Sequence, residues 1–566
     1  MIEHIIFLLY LIFFLTSIAG YGLILSKLIN NKLLKLNIGY QGLFGFFFIS
    51  FISLISSYFF KHGFAHNTIL HLIGVCVFFY YVLDNERLIY EYKNLLIIFI
   101  ICLISIYVFK NHDDFPYYHL TYSLNLSENK FIIGTGVFSH GFRTFSSIFY
   151  FHSTLYMPLI KFYLFHSGPF FILIFFNYII IQDIIESNKT RKFGYTYFFS
   201  LLSLAFVNIV FYRIGEHGTD RSAQILILLI FKFYYDLFYF PDKNKDLNTK
   251  ILSLLIIIFL AASMKIIYYV YLIFVPIILI KRKHFQNFFN KLNNYKLIFI
   301  LTIFFTSNIL TNFLSTGCLV YPAIKTCVGS YAWSIPDKEV KRMRIHYEWW
   351  AKAGGGPGYV SEIPKEKYII NFVWFKNWVE RHFFNKVSDT LFLSIFFSII
   401  FFIFFKFTSM KEKKKNNLLN ISMFLFPSIF LIEWFLNHPS MRYGGFVLVI
   451  LPLIVLTSSL LNCYNYDRLK IAKYSIIFII FIFIIFTARN VQRINKEIKI
   501  YNYNILKSPF FYVKDVSSIT SLKNDDFVIY SPQQGMCWGS STPCSYNRKL
   551  KHKKIMGFDM VYRNDW

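Results

Sequence analysis

Acidic residues are scarce in this chain, which has 30 Asp and Glu against 58 Lys and Arg in 566 residues. The formal net charge of +28 would suit a nucleic-acid-binding protein, but the basic residues lie in short loops between apolar runs. That distribution is typical of membrane topology and of contact with anionic lipid headgroups. We therefore expect membrane lipids as partners and no nucleic acid.

Polar surface is also in short supply, since 56% of the residues are hydrophobic and the mean hydropathy is +0.49. Apolar runs close to the roughly 20 residues needed to cross a bilayer recur along most of the chain. Long alternating strands are missing, and a bilayer tolerates only elements that satisfy their own backbone groups. The sequence therefore predicts an all-α polytopic membrane protein.

The first apolar run lacks preceding basic residues, so it does not have the pattern of a cleaved signal peptide. Lys27, Lys32 and Lys35 follow the run instead. Because basic loops favour the cytoplasmic side, this asymmetry predicts an extracytoplasmic N-terminus. Continuing the assignment gives about fourteen spans and an extracytoplasmic C-terminus.

The spans divide the chain into three parts. Residues 1–94 hold additional N-terminal helices, residues 95–488 form a transmembrane core, and residues 489–566 form a polar extracytoplasmic tail. The tail has mixed character, with a candidate strand at residues 526–531. The core carries its outer loops at residues 111–166, 213–221, 316–386 and 438–444.

Two stretches of the core allow alternative topologies. Residues 141–164 are apolar but contain Arg143, His152 and Lys161, so we expect an interfacial helix rather than a span. Residues 251–281 suit either one long helix or two short helices joined near Lys265. Two short helices are favoured because one helix would place later basic loops outside.

Cysteines are few, at seven, and four of them form two close pairs in segments assigned to the outside. The pairs are Cys318 with Cys327 and Cys537 with Cys544. Zinc binding is disfavoured because neither pair has two-residue spacing and no histidine pair accompanies them. In an oxidising compartment such pairs predict disulfides.

The densest group of proton-transfer side chains lies in residues 111–119, directly after an apolar run. Asp113 or Asp114 could act there as a general base toward an acceptor hydroxyl, with His112 and His119 in support. The alternative is a solvated loop that caps the preceding span. The scarcity of acidic residues and the position against the membrane favour the functional interpretation.

Other charged groups fall in the remaining outer loops. Glu216, His217 and Asp220 could orient an acceptor or share a divalent cation, Mg or Mn, with the first loop, although they also suit a simple charged turn. Arg221 lies beside them, Lys265 lies between two apolar halves, and Arg442 occupies a short turn. Lys265 could bind a lipid phosphate or merely extend to the interface. An arginine such as Arg442 could clamp a phosphate with two hydrogen bonds.

The 316–386 loop combines cationic and aromatic residues with a glycine-rich hinge at 354–358. Tryptophan beside polar groups suits stacking on sugars, but it equally suits an interfacial belt. We expect a loop that covers the substrate. Its candidate residues are Arg342, Arg344, His346, Trp349 and Trp350.

This arrangement resembles the GT-C superfamily of multi-spanning glycosyltransferases over residues 95–460, and it is most similar to uncharacterised bacterial membrane proteins related to that superfamily. The resemblance rests on Asp113-Asp114, residues 141–164, Glu216 with Asp220, and the 316–386 loop. Three additional spans precede the acidic loop here, which departs from the superfamily's usual order.

The resemblance implies a GT-C-like core in the bacterial inner membrane. It implies inverting transfer of a sugar from a polyprenyl-phosphate-linked donor to a glycan or lipid acceptor, with no certain cofactor. Asp113 or Asp114 would deprotonate the acceptor. Lys265, Arg442 and Arg221 would stabilise the leaving phosphate as its charge grows.

Two other functions remain open. A surface-polysaccharide polymerase of the O-antigen type also has many spans and large outer loops, and it would yield a ladder of repeats rather than one added sugar. A lipid-linked glycan flippase would need charged residues at mid-membrane and two related halves, which the sequence does not clearly show.

Overall fold

The computed structural model describes residues 2–83, 85–240, 246–280, 286, 288–289, 292–353, 362–413, 420–524, 526–563 and 565. These residues form a mostly helical protein with small β-hairpins. The glycine-rich hinge at 354–358 lies outside the described residues.

The N-terminal half begins with long helices and continues with shorter ones around the 111–166 loop. Its helices are α1 (Ile2–Ile29), α2 (Ile38–Ser57), α3 (Phe64–Leu83), α4 (Glu86–Cys102), α5 (Leu120–Glu128), α6 (Ser147–Ser153), α7 (Gly168–Thr190), α8 (Tyr195–Val210), α9 (Gly218–Phe238), α10 (Leu247–Met264) and α11 (Phe274–Ile280).

The C-terminal half alternates short and long helices before the tail. Its helices are α12 (Leu292–Thr316), α13 (Asp337–Lys352), α14 (Lys365–Tyr368), α15 (Phe375–Trp378), α16 (Ser388–Lys406), α17 (Leu425–Asn437), α18 (Gly445–Asn462) and α19 (Arg468–Tyr501).

Ten helical segments within the described ranges are long and apolar enough to cross a membrane. They correspond to α1–α4, α7, α10, α12, α16, α18 and α19, some with adjoining 3₁₀, π or short helical turns. The all-α, multi-pass membrane class predicted from the sequence is therefore confirmed.

Glycines bring the first three helices into close contact. A Cβ atom on Gly20 of α1 would lie 1.8 Å from the Gly74 carbonyl oxygen of α3, and one on Gly22 would lie 1.7 Å from the Gln41 carbonyl oxygen of α2. Only a residue without a side chain allows this approach, which is how helices pack closely in membranes.

The helix is interrupted at Lys265, as the charge pattern predicted. Helix α10 ends at Met264, Lys265 is extended with φ −163° and ψ 143°, and a 3₁₀-helix at Ile266–Ile273 then leads into α11. The break places a cationic side chain between two helical pieces instead of inside one long helix.

The prediction of one helix extending over residues 141–164 is wrong. Its α-helix is limited to α6, which has seven residues and is fully buried. Phe151 stacks on Phe46 of α2 at 3.9 Å, and Ser153 Oγ lies 2.6 Å from His62 Nδ1. The segment therefore packs inside the protein, where neighbouring residues contact its apolar side chains and hydrogen-bond its polar ones.

The tail after α19 contains two antiparallel hairpins. They pair β3 (Ser518–Asn524) with β4 (Phe527–Pro532) and β5 (Lys551–Ile555) with β6 (Phe558–Tyr562). Before the tail, a third small sheet joins β1 (Ser409–Lys413) to β2 (Tyr464–Tyr466). Strand β4 confirms the predicted strand. The tail also packs on the 111–166 loop, since the Val561 N–H donates to the Ile133 carbonyl at 2.9 Å.

Both predicted disulfides are present. Cys318 and Cys327 have an S–S distance of 2.12 Å, and Cys537 and Cys544 have one of 2.04 Å.

Candidate functional site

Charged side chains from four separate parts of the chain meet at one end of the helix bundle. Arg442 Nε donates to Asp220 Oδ2 at 2.5 Å, and Arg442 Nη2 donates to the Asp114 carboxylate. Lys265 Nζ donates to Asp220 Oδ1 at 2.6 Å. The result is an alternating network of two carboxylates and two cations joined by charge-assisted hydrogen bonds. All four residues were candidates from the sequence, but only the fold brings them together.

Each of these four residues lies where a regular helix starts or stops. Asp114 precedes a π-helical turn at Phe115–His119, and Asp220 lies in the first turn of α9. Lys265 occupies the break after α10, and Arg442 lies in a 3₁₀-turn between α17 and α18. Helix ends leave backbone groups and side chains accessible, so a site can form without breaking a span.

Gln224 of α9 fixes the turn that carries Arg442. Its Nε2 donates to the Arg442 carbonyl at 3.2 Å, and its Oε1 accepts the Val447 N–H at 3.3 Å. Trp434 Nε1 also donates to the Ser440 carbonyl at 2.9 Å. Gly444 closes the turn with φ 94°, a conformation that favours glycine.

The electrostatics of the loop keep Asp114 charged and His112 neutral. Burial raises the pKa of Asp114, but the Arg442 guanidinium and His112 outweigh it and hold that pKa below its usual range. Burial, reinforced by Arg442, lowers the pKa of His112 to about 4. The Asp114 N–H donates to His112 Nδ1 at 3.2 Å, which leaves the imidazole proton on Nε2.

The network faces a polar cavity of about 490 Å³. Its lining includes His112, Asp114, Asp220, Arg221, Trp350 and Lys386. The size is within the range of small-molecule sites. We call this space the polar cavity.

Two cations at the polar cavity differ from Arg442 and Lys265. Within the described part of the chain, neither Arg221 nor Lys386 has a carboxylate within ion-pair distance. Arg221 Nη1 donates to the Arg213 carbonyl at 3.0 Å, and its guanidinium lies 5.6 Å from the centre of the Phe211 ring. Both side chains are therefore available to an anionic ligand.

Several predicted residues lie beside the network rather than in it. The Asp113 side chain is 79% exposed and lies 3.8 Å from Lys110 Nζ, although it reaches the rim of the polar cavity. Glu216 pairs with Arg213, and His217 stacks on His112 with ring centres 5.7 Å apart. His119 is buried against Phe149 at 4.9 Å.

The predicted residues of the 316–386 loop are spread along α13. Arg342 Nε donates to Glu339 at 2.6 Å, and Arg344 is exposed. His346 stacks on Trp349 with ring centres 5.7 Å apart. Trp350 lines the polar cavity, and its ring centre lies 5.8 Å from that of Tyr443.

Lys386 and His382, which both line the polar cavity, were not among the candidates predicted from the sequence. They are four residues apart in the π-helical segment Val379–Val387, so they project from one side of it. This spacing, directly before a long apolar run, was the signal that could have identified them.

Metal binding finds no support in the donor arrangement. Within the described ranges, no group of three or more His, Cys, Asp or Glu residues is placed to hold a metal ion. Asp114 and Asp220 bind Arg442 and Lys265 instead. Protein cations thus already balance the carboxylates expected to hold Mg or Mn, and the residues do not fit such a site.

An apolar groove of about 780 Å³ lies between α8, α16, α18 and α19. Phe206, Phe397, Ile454 and Phe478 line it, and Arg489 is the one charged residue among its described lining residues. Arg489 Nη1 donates to the Ile209 carbonyl at 2.5 Å. We call this space the apolar groove.

The linings of the two spaces come within one helical turn of each other on α18. Phe446 lines the polar cavity, and Ile450, one helical turn further on, lines the apolar groove. Phe446 also contacts Phe211, with ring centres 5.8 Å apart. A ligand with a charged head and an apolar chain could therefore occupy both spaces.

Fold and site together define a multi-pass membrane protein with a charged cavity at one end of its helix bundle. The family model described as "Domain of unknown function (DUF8201)" matches residues 4–450, and the chain belongs to this family. No curated protein and no solved structure matches the chain. The matched segment contains the four network residues and ends before the tail.

Proposed function

We propose that this protein is a membrane glycosyltransferase with a GT-C-like core. It transfers a sugar from a polyprenyl-phosphate-linked donor to a glycan or lipid acceptor at the extracytoplasmic face of the bacterial inner membrane. The observation that carries the proposal is that residues one helical turn apart on α18, Phe446 and Ile450, line the polar cavity and the apolar groove.

The donor divides naturally between these two spaces. Its isoprenoid chain lies in the apolar groove, where burial of hydrocarbon stabilises it. Its phosphate lies near Arg221 and Lys386, because these two cations have no carboxylate partner within the described residues. Trp350 and Tyr443 offer aromatic faces to the sugar.

Asp114 is the general base in this proposal. It accepts the proton of the acceptor hydroxyl, whose oxygen attacks the anomeric carbon as the bond to the phosphate oxygen breaks. A single displacement inverts the anomeric configuration. The electron pair leaves with the phosphate, and Arg221 and Lys386 stabilise its growing charge.

Arg442, Lys265 and Asp220 hold the base in place. Arg442 contacts Asp114 directly, and Asp220 together with Lys265 fixes Arg442. Charged groups held in advance of the reaction need little reorganisation when the transition state forms. This assignment gives the phosphate to Arg221 and Lys386, while Lys265 and Arg442 organise the carboxylates.

The topology follows from adding four helices to the ten long apolar segments of the described chain. Three of the four added helices are shorter apolar segments of 10–17 residues, Tyr195–Val210, Ile266–Ile280 and Ile421–Asn437. Helix α9 carries charged residues at both ends. Counting all of these gives about fourteen spans, with both termini and the polar cavity on the extracytoplasmic side.

Reconstitution tests the proposed reaction. Purified protein in proteoliposomes should transfer labelled sugar from a polyprenyl-phosphate donor to a glycan acceptor, one residue per acceptor. Asp114→Asn should remove the product. A ladder of repeats would instead identify a polymerase, and movement of lipid-linked glycan across the bilayer without a glycosylated product would identify a flippase.

A further inference from the structure

The tail contacts the segment that immediately follows Asp114. The Trp538 N–H donates to the Pro116 carbonyl at 3.3 Å, and the Tyr546 hydroxyl donates to the Tyr117 carbonyl at 3.1 Å. The Tyr546 ring also packs on the Tyr117 ring with centres 5.0 Å apart. These contacts join residues more than 400 positions apart in the chain.

The segment that receives these contacts is a π-helical turn. Such turns are rare and are often found at functional sites. Asp114 is the residue directly before it, so the direction of the Asp114 carboxylate depends on where the turn lies. Hydrogen bonds to carbonyls of the turn fix that position from outside.

Of the two contacting residues, Trp538 lies inside a small loop of the tail that a disulfide closes, and Tyr546 lies two residues beyond that loop. Cys537 and Cys544 close it, and the Cys537 N–H donates to the Tyr546 hydroxyl at 3.1 Å. The hydroxyl of Tyr546 thus joins the closed loop to the π-helical turn. At the far end of α5, Thr542 Oγ1 donates to Glu128 Oε2 at 2.6 Å.

A second part of the tail, at Phe511 and Tyr512, contacts the same turn and the residues before it. Phe511 packs edge-on against Phe115 at 5.1 Å and against His166 at the same distance. The Tyr512 N–H donates to the Phe109 carbonyl at 2.8 Å, just before the acidic loop. The tail therefore contacts the chain on both sides of Asp114.

We propose that the tail holds the site in place and that Tyr546 is a positioning residue, whose hydroxyl keeps Asp114 against Arg442. We call the contacts of the tail with the π-helical turn the clamp. The tail residues of the clamp lie beyond the segment matched by the family model, which ends at residue 450. The consequence of the clamp for catalysis rests on the proposed function, whereas its effect on the π-helical turn does not.

The test separates these two consequences. Tyr546→Phe removes one hydroxyl and keeps the ring, and Cys537→Ser with Cys544→Ser opens the loop. Tyr530→Phe is the matched control, since Tyr530 lies in β4 of the same tail and its N–H, not its hydroxyl, bonds the Pro543 carbonyl at 2.9 Å. Hydrogen exchange of the peptide spanning residues 112–120 is measured on the full chain in detergent.

Tyr546→Phe should raise amide exchange in that peptide about fivefold, the effect of one net hydrogen bond, and Tyr530→Phe should leave it unchanged. The double serine variant should raise exchange further. In transfer assays, Tyr546→Phe should lower kcat more than it changes KM and should move the acid limb of the pH profile upward.

Unchanged exchange in both the phenylalanine and the double serine variants would overturn the clamp, whatever the activity. Raised exchange together with full activity of Asp114→Asn would leave the clamp standing and refute the proposed base. Raised exchange with an unaltered kcat and pH profile would refute the positioning role.

Discussion

Arg442 bonds Asp114 and Asp220 at once, although these carboxylates lie 328 and 222 positions from it in the sequence. A guanidinium suits this bridge because its donors point in fixed, separate directions, whereas a lysine ammonium acts as a compact point charge. Arg442 is thus the residue through which the first loop, α9 and the α17–α18 turn are held together.

Asp220→Asn should destabilise the protein strongly. The Asp220 side chain is only 6% exposed and partners both Lys265 and Arg442, so its loss leaves two cations poorly compensated. Breaking a buried pair in this way typically costs about 3–5 kcal/mol. Thermal unfolding in detergent measures the effect.

Asp113→Asn, at an exposed position, should stay within about 0.5 kcal/mol of the wild type. Equal stability of the two variants would contradict the network.

The pH dependence of transfer should follow Asp114. Its pKa is held below the usual value, so the active ionised form persists at neutral pH and is lost only on strong acidification. The same pairing stabilises the fold above the unfolded-state pKa and is lost as pH falls through the lower folded pKa. Arg442→Gln removes the cation, so the acid limb should move to higher pH.

His112 supplies the internal check on that profile. Burial lowers its pKa to about 4, so no limb should appear near the ordinary histidine value of about 6.5. A rate profile measured from about pH 3 to 8 covers the ordinary histidine range and shows whether a limb appears there. A limb near neutrality that disappears in His112→Gln would assign the titration to the histidine instead of Asp114.

Filling the apolar groove should affect long lipid donors selectively. Ile454→Trp places a large ring in the groove between α8, α16, α18 and α19, and it should raise KM for a polyprenyl-phosphate donor. KM for a short, water-soluble donor analogue should change little. Leu456→Trp is the matched control, because Leu456 lies on α18 outside the groove lining and is 37% exposed. Equal effects on both donors would refute the lipid role of the groove.

Much of the fold follows from local pattern. Apolar runs predicted the long helices, the charge balance predicted the break at Lys265, and the cysteine pairs predicted the disulfides. These features depend on residues close in sequence. The helix predicted at 141–164 failed because the same aromatic residues suit a membrane interface and a protein core, and only their partners on α2 decide between them.

The site could be predicted only as a set of candidates. Asp113 and Asp114 are neighbours of identical chemistry, yet one is 79% exposed and the other 29%. That difference arises from Arg442, which is brought there by packing of distant helices. Lys386 went unnoticed for a similar reason, since a lysine before an apolar run usually marks only the end of a span.

The matched pair of aspartates tests the central claim most directly. Asp114→Asn and Asp113→Asn change the same atoms one residue apart, and sugar transfer from a polyprenyl-phosphate donor is measured for both in proteoliposomes at equal protein. We expect Asp114→Asn to lose about 100-fold or more in kcat, while Asp113→Asn stays near the wild type. Full transfer activity in Asp114→Asn would contradict the account.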